Sequence, residues 1–158
     1  MWVLIRAVTY SALFIGFLLV FLPARVLAWS GITPVPMIGM SQIGGMLVAG
    51  AGAALALWCI LTFVFLGKGT PAPFDPPRRL VVRGPYRFVR NPMYVGAGLA
   101  LAGAALFYHS LPLLGYAGLF VLVMHGFVMI HEEPALRQTF GSDYEVYCGR
   151  VGRWWPKL

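Results

Sequence analysis

Residues 92–130 decide the fold, and they read PMYVGAGLALAGAALFYHSLPLLGYAGLFVLVMHGFVMI. Two apolar runs, about 92–108 and 112–130, are separated by a turn of only a few residues. A helix needs roughly 20 apolar residues to cross a lipid bilayer, and a connection this short makes two helices antiparallel neighbours. The stretch therefore predicts a tight hairpin of two transmembrane helices.

The whole chain is too apolar for a soluble domain. Of its 158 residues, 59% are hydrophobic and 11% are charged, and the mean hydropathy is +0.78. A soluble domain carries about one quarter charged residues, and one of this size has too little interior for so many apolar side chains. Further apolar runs at about 2–22 and 43–66 bring the predicted spans to four. The sequence predicts one all-α integral membrane domain, 1–158, of about four transmembrane helices and an amphipathic C-terminal tail.

The N-terminal half, 1–66, is predicted to hold the first two spans. The first run is interpreted as a membrane anchor, because it is long for a signal peptide, although residues 26–28 loosely fit a cleavage site. Residues 23–42 contain three prolines and predict a loop. The second run is rich in Gly and Ala, which lets helices approach closely in lipid.

Basic residues indicate the orientation of the chain. The formal net charge is +7, and six of the 12 Lys and Arg residues lie in 67–91. Cytoplasmic loops carry an excess of Lys and Arg, so this loop and the tail, 131–158, are predicted to face the cytoplasm. Four spans then place both termini in the cytoplasm, at the cell (inner) membrane. The same rule explains the basic charge without nucleic acid. Cys59 and Cys148 form neither a disulfide framework nor a metal-ligand set.

Residues 84–96 predict an anion-binding corner at the start of the third span. Asn91 is a good N-cap, and Pro92 fits the first helical position. A helix N-terminus offers free N–H donors and a partial positive charge, here beside Arg87 and Arg90. The site suits a carboxylate or phosphate; alternatively, the arginines bind lipid head groups and fix orientation.

Two adjacent acids, Glu132 and Glu133, follow the fourth span, next to His131. Acids at a membrane boundary are costly and often functional. Consecutive helical residues point about 100° apart, so one acid can hold a cationic ligand group while the other pairs with an arginine. The alternative is interfacial solvation with a salt bridge to the 67–91 loop.

The tail predicts an amphipathic helix around Tyr144 and Tyr147, which share a helical face at a spacing of three. Arg150 and Arg153 are predicted to extend that stripe. Such a helix is interpreted first as an anchor at the membrane interface. The alternative interpretation is a lid over a binding site. His125, alone within the fourth span, is expected to hydrogen-bond across helices rather than bind a metal.

In their order, these stretches resemble the membrane methyltransferases related to isoprenylcysteine carboxyl methyltransferase and to the phospholipid (phosphatidylethanolamine) N-methyltransferases. The resemblance covers roughly 67–158. The matching residues are Gly84-Pro85-Tyr86, Arg90-Asn91-Pro92-Met93-Tyr94-Val95-Gly96, Glu132-Glu133, Phe140-Gly141, Tyr144, Tyr147, Arg150, Val151 and Pro156.

The resemblance implies an S-adenosylmethionine-dependent methyltransferase that binds its cofactor between the loop, the helical hairpin and the tail at the cytoplasmic face. Glu132 and Glu133 would face the methionyl ammonium. The residues with an implied catalytic or positioning role are Arg90, Asn91 and Arg150. With the residues singled out above, the expected cofactor site also comprises Gly67, Gly69, Arg87, Pro92, Tyr94, Gly96, His131, Tyr144 and Tyr147.

One departure bears on the substrate. The carboxyl methyltransferases usually have His where this chain has Asn91, and an amide cannot act as a base near neutral pH. This weakens prenylcysteine carboxyl methylation, and the expected acceptor is a lipid or small amphipathic molecule whose accepting atom the sequence does not identify. Two alternatives stay open. One is a nicotinamide-dependent reductase of the sterol-reductase type, which the paired acids disfavour; the other is a non-catalytic membrane scaffold.

Overall fold

The computed structural model of the chain describes residues 9, 12–13, 15–31, 38–67 and 79–157. These residues are predominantly helical, and their only β contact is an isolated bridge between Val89 and Gly152. We number the α-helices in chain order. They are α1 (Leu22–Trp29), preceded by a π-helical turn Ile15–Phe21; α2 (Met40–Thr62), followed by a π-helical turn Phe63–Gly67; α3 (Pro92–Phe107), preceded by a 3-10 helix Gly84–Arg87; α4 (Leu111–Phe127); and, after a π-helical turn Val128–Glu132, α5 (Glu133–Arg150).

Two helical stretches are long and apolar enough to cross a bilayer. They are Met40–Thr62 and the continuous stretch Leu111–Arg150. Two further apolar helices, Ile15–Trp29 and Pro92–Phe107, are shorter. The all-helical prediction is confirmed for the described residues, and so are the positions of the second, third and fourth apolar runs. Ten of the 21 residues of the first predicted span, 2–8, 10, 11 and 14, lie outside the described residues.

The predicted loop at 23–42 is wrong at both ends. Helix α1 continues through Pro23 to Trp29, and Pro23 lies inside the helical stretch Ile15–Trp29, just after the π-helical turn Ile15–Phe21. That turn already interrupts the regular α-helical hydrogen bonds that a proline would break. Helix α2 already begins at Met40, where the Gln42 side chain accepts a hydrogen bond from the backbone N of Gly39 at 2.9 Å. Residues 32–37 lie outside the described part of the chain.

Helices α2 and α3 run antiparallel with their backbones in direct contact. Gly45 lies against Gly103, and seven residues further along α2, Gly52 lies against Gly96. A Cβ placed on Gly52 would stand 2.5 Å from the backbone N of Ala100. This approach leaves no room for side chains, so the small residues of the second run serve helix packing, as predicted.

Helices α3 and α4 form the predicted tight hairpin. His109 lies in the turn with a positive φ of 49°, and the Ser110 hydroxyl accepts a hydrogen bond from the backbone N of Leu113 at 3.1 Å. This N-cap satisfies one of the donors that the start of a helix leaves unpaired. The buried side chains at the contact include Leu101 from α3 and Phe120 from α4.

The tail returns to the ends of these helices instead of extending away. Helix α5 is kinked at Gly141, whose φ of 50° favours glycine. Beyond α5, the Trp154 indole donates a hydrogen bond to His125 Nδ1 at 2.9 Å. The expected hydrogen bond of His125 is therefore present, with the tail as its partner. This fold-back brings the tail beside the start of α3 and the junction of α4 with α5.

Candidate functional site

Glu133 is the centre of a buried polar cluster. The residue is 6% exposed, and Arg153 binds it with two hydrogen bonds, Nε to Oε1 at 2.6 Å and Nη2 to Oε2 at 2.9 Å. Arg90 Nη1 lies 3.2 Å from the same Oε1. A buried carboxylate is costly unless it is paired and hydrogen-bonded, and here two guanidinium groups provide both. Glu133 is thus already paired with two arginines of the same chain.

Arg90 connects the loop before α3 to α5 and to the tail. Its Nη1 also donates to Cys148 Sγ at 2.7 Å and lies 3.4 Å from the Tyr144 hydroxyl. Its backbone N donates to Gly152 O at 2.8 Å. Among the residues that the structure describes, no acceptor is hydrogen-bonded to its buried Nε. One donor of a buried cation therefore remains for another group.

Glu132 has different surroundings from Glu133, although the two are adjacent in sequence. The Tyr94 hydroxyl of α3 lies beside its carboxylate. Its Oε2 is buried and has no hydrogen-bond partner within the described part of the chain. Both interpretations of the pair predicted a salt bridge to an arginine, and Glu133 makes one with Arg153 and one with Arg90 of the 67–91 loop. The other acid presents an unused acceptor.

Asn91 occupies the predicted N-cap position of α3, but the prediction that its side chain caps the helix is wrong. Its Nδ2 instead donates to the backbone O of Arg153 at 3.3 Å. The tail backbone lies close enough to accept this hydrogen bond, and the Asn91 side chain therefore points to the tail and does not cap α3. Pro92 stands in the first turn, as predicted.

The two tail tyrosines share the buried face of α5, as predicted. Tyr147 donates its hydroxyl to the backbone O of Tyr86 at 2.6 Å, which fastens α5 to the loop before α3. Tyr144 lies next to Arg90. The prediction that Arg153 extends this stripe is wrong, because the helix ends at Arg150 and the following residue, Val151, has an extended backbone (φ −120°, ψ 128°).

Three predicted site residues lie at the exposed rim of the cluster. Arg150 stands on the exposed last turn of α5. Arg87 is exposed, with its guanidinium 5.3 Å from the ring centre of Phe88. His131 is exposed and its ring stands 5.4 Å from that of Phe127. The structure brings none of the three into contact with the buried carboxylates through a described hydrogen bond.

The three predicted glycines are placed apart from this cluster or outside the described residues. Gly96 faces α2, where a Cβ would stand 2.7 Å from the backbone O of Gly52, so its position is explained by helix packing. Gly67 ends the π-helical turn after α2. Gly69 lies outside the described residues.

Arg153 is the principal site residue that the sequence did not indicate as such. Its hydrogen bonds with Glu133 raise the pKa of its guanidinium above the ordinary value, which keeps it charged throughout the physiological range. Cys148, which accepts from Arg90, was also not predicted. The sequence signal for these contacts is the presence of arginines in the tail that follows the two acids. Helical spacing, however, predicts that Arg153 lies on the tyrosine face of α5, which ends before it.

Comparison with known proteins gives one match. A family model described as phospholipid methyltransferase matches residues 40–143, which is more than half of the chain and includes α2, α3, α4, Arg90 and both acids. No curated protein and no solved structure is significantly similar to the chain.

Proposed function

Because the chain belongs to the phospholipid methyltransferase family, we propose that it is a membrane methyltransferase that uses S-adenosylmethionine. Its acceptor would be a lipid or small amphipathic molecule that approaches within the membrane. The basic face, with the 67–91 loop and the tail, would be cytoplasmic, and the four apolar helical stretches would cross the cell membrane with both termini inside.

The observation that carries this proposal is the pair of unused polar atoms, Glu132 Oε2 and Arg90 Nε. Buried polar atoms without a partner are rare, and each calls for an explanation. One is a carboxylate acceptor and the other a cationic donor. The amino-acid end of S-adenosylmethionine carries an ammonium and a carboxylate, which are the complementary groups. The residues present therefore fit the cofactor that the family implies.

The chain's own residues would bind and orient the cofactor rather than react covalently. Glu132 would hold the ammonium, with Tyr94 beside it, and Arg90 would hold the carboxylate at the start of α3. When bound, S-adenosylmethionine supplies a methyl group on a sulfonium. Its transfer is an in-line displacement, for which alignment of the reactants supplies much of the rate. The tail, held over this region by Arg153 and Trp154, would exclude water.

Exposed basic residues at the same face favour a membrane-borne acceptor. Arg83 and Arg87 are exposed, in the loop that also carries Arg90. Anionic lipids of the cytoplasmic leaflet attract such residues by about 1 kcal/mol each. A lipid substrate with an anionic head group would thereby be concentrated at the face that carries Arg90 and Glu132. The family match favours this function over a reductase or a scaffold.

Binding of S-adenosylhomocysteine to the detergent-solubilised protein, measured by calorimetry, tests the proposal. We expect Glu132→Gln to weaken binding about 30-fold or more, because loss of one partner of a buried charge pair costs at least about 2 kcal/mol. Glu145→Gln is the matched control. Glu145 is an exposed acid paired with Arg137, and its substitution should leave the affinity unchanged. A folded wild type that does not bind, or equal effects of the two variants, would contradict the proposal.

A further inference from the structure

Arg153 is fastened to both sides of the polar cluster. Its guanidinium makes the two hydrogen bonds to Glu133, at the junction of α4 and α5. Its backbone O accepts from Asn91, at the start of α3. The preceding residue, Gly152, accepts from the backbone N of Arg90. A single stretch of the tail thus sets the distance between the loop that carries Arg90 and the junction that carries the acids.

The charge of Arg153 decides what Glu133 can do. The Glu133 side chain is 8% exposed, so water solvates its charge poorly, and each of its oxygens accepts a hydrogen bond from Arg153. Without Arg153, Arg90 is the described cation that remains within salt-bridge distance of Glu133, at 3.2 Å. Arg90 would then be drawn fully onto Glu133, and Glu133 would compete with Glu132 for any cationic ligand group.

We propose that Arg153 is a positioning residue that divides the two adjacent acids between two tasks. By occupying Glu133, it leaves Glu132 as the carboxylate that receives the cationic group of a ligand, and it leaves Arg90 Nε free for the anionic group. Arg153 itself touches no ligand. The inference rests on the proposed function, and it differs from the expectation that both acids face the cofactor.

Calorimetry with S-adenosylhomocysteine on Arg153 variants tests this inference. We expect Arg153→Met to weaken binding roughly tenfold or more, by analogy with metal sites, where loss of a residue that orients a ligating side chain has an effect of this size. Arg153→Lys should restore part of the affinity, because the charge returns but the bidentate geometry does not. Arg137→Met is the matched control, since it removes an exposed arginine that pairs with Glu145 on the same helix, and it should bind like the wild type.

A double-mutant cycle separates positioning from direct contact. In a Glu133→Gln background, Arg153→Met should weaken binding by less than about twofold, because residues that act through one another are not additive. Full additivity of the two losses would overturn the inference in favour of a direct contact. Thermal unfolding of each variant reports folding independently, and if Arg153→Met does not fold, Arg153→Gln tests the same loss of charge.

The outcomes also distinguish this inference from the function on which it rests. A wild type that binds normally, together with an Arg153→Met variant of equal affinity, would overturn only the positioning role. A folded wild type that fails to bind would overturn the proposed function, and the positioning role with it. A loss of affinity in Arg153→Met that Arg153→Lys partly restores, with no loss in Arg137→Met, would support both.

Discussion

Gly52→Val is expected to prevent α2 and α3 from packing, whereas Gly50→Val should be tolerated. A Cβ at Gly52 would stand 2.5 Å from the backbone N of Ala100 and from the backbone O of Gly96, which are parts of the neighbouring helix that cannot turn aside as a flexible side chain can. Overpacking costs about 1–3 kcal/mol where side chains can adjust. Here two backbones must separate, so we expect a loss above that range.

Gly50 provides the matched control for this prediction. It lies two residues away on the same helix, it is exposed, and a Cβ there would meet nothing within 4 Å. Valine has the same helix propensity at both positions, so a difference between the variants reports packing alone. Thermal unfolding in detergent, with size-exclusion chromatography for the folded fraction, measures it. Equal unfolding temperatures for the two variants would contradict the backbone contact between α2 and α3.

Glu133→Ala is the second substitution with a large expected effect. It removes the carboxylate that pairs with Arg90 and Arg153, and the Arg90 side chain is only 11% exposed. Breaking a buried ion pair from one side costs about 3–5 kcal/mol, because the remaining charge stays buried without compensation. We expect unfolding at a markedly lower temperature, together with release of the tail.

Glu145→Ala serves as the control for that substitution. Glu145 and its partner Arg137 are about half exposed, and an exposed ion pair contributes about 0–1 kcal/mol. Limited proteolysis after the basic residues of 150–157, compared between the two variants, reports whether the tail detaches. If Glu133→Ala unfolds at the temperature of Glu145→Ala, the cluster does not hold the tail in place.

The hairpin was predictable because its signals are local. Apolar length, a turn of three residues and prolines near both helix starts all lie within 92–130, and each acts through neighbouring residues. The same locality explains the failure at 23–42. Prolines favour a loop there by their local effect on the backbone, although Pro23 lies within the helical stretch Ile15–Trp29, just after a π-helical turn.

The site was predictable only in part, because its contacts join distant segments. The two acids, Arg90 and the tail tyrosines were recognised from their residue types and spacing. The roles of Arg153 and Asn91 depend on a tail that turns back after Val151. This reversal brings Arg153 into contact with Asn91, which lies 62 residues earlier in the chain. Helical periodicity contains no information about such a reversal. It therefore predicts that Arg153 lies on the same helical face as Tyr144 and Tyr147, and local sequence predicts that the Asn91 side chain caps α3.

The π-helical turn Val128–Glu132 fixes the rotational setting of both acids. The backbone N–H of Glu133 is bonded to Val128 O, five residues back, where an α-helix would reach four. This turn therefore holds one residue more than regular α-helix would need. Deletion of one residue within this turn would therefore restore a regular α-helix and leave the orientation of both acids unchanged. Deletion of one residue from α4, which has no extra residue to lose, would instead rotate both carboxylates by about 100°, so the position of a length change matters as much as the presence of the acids.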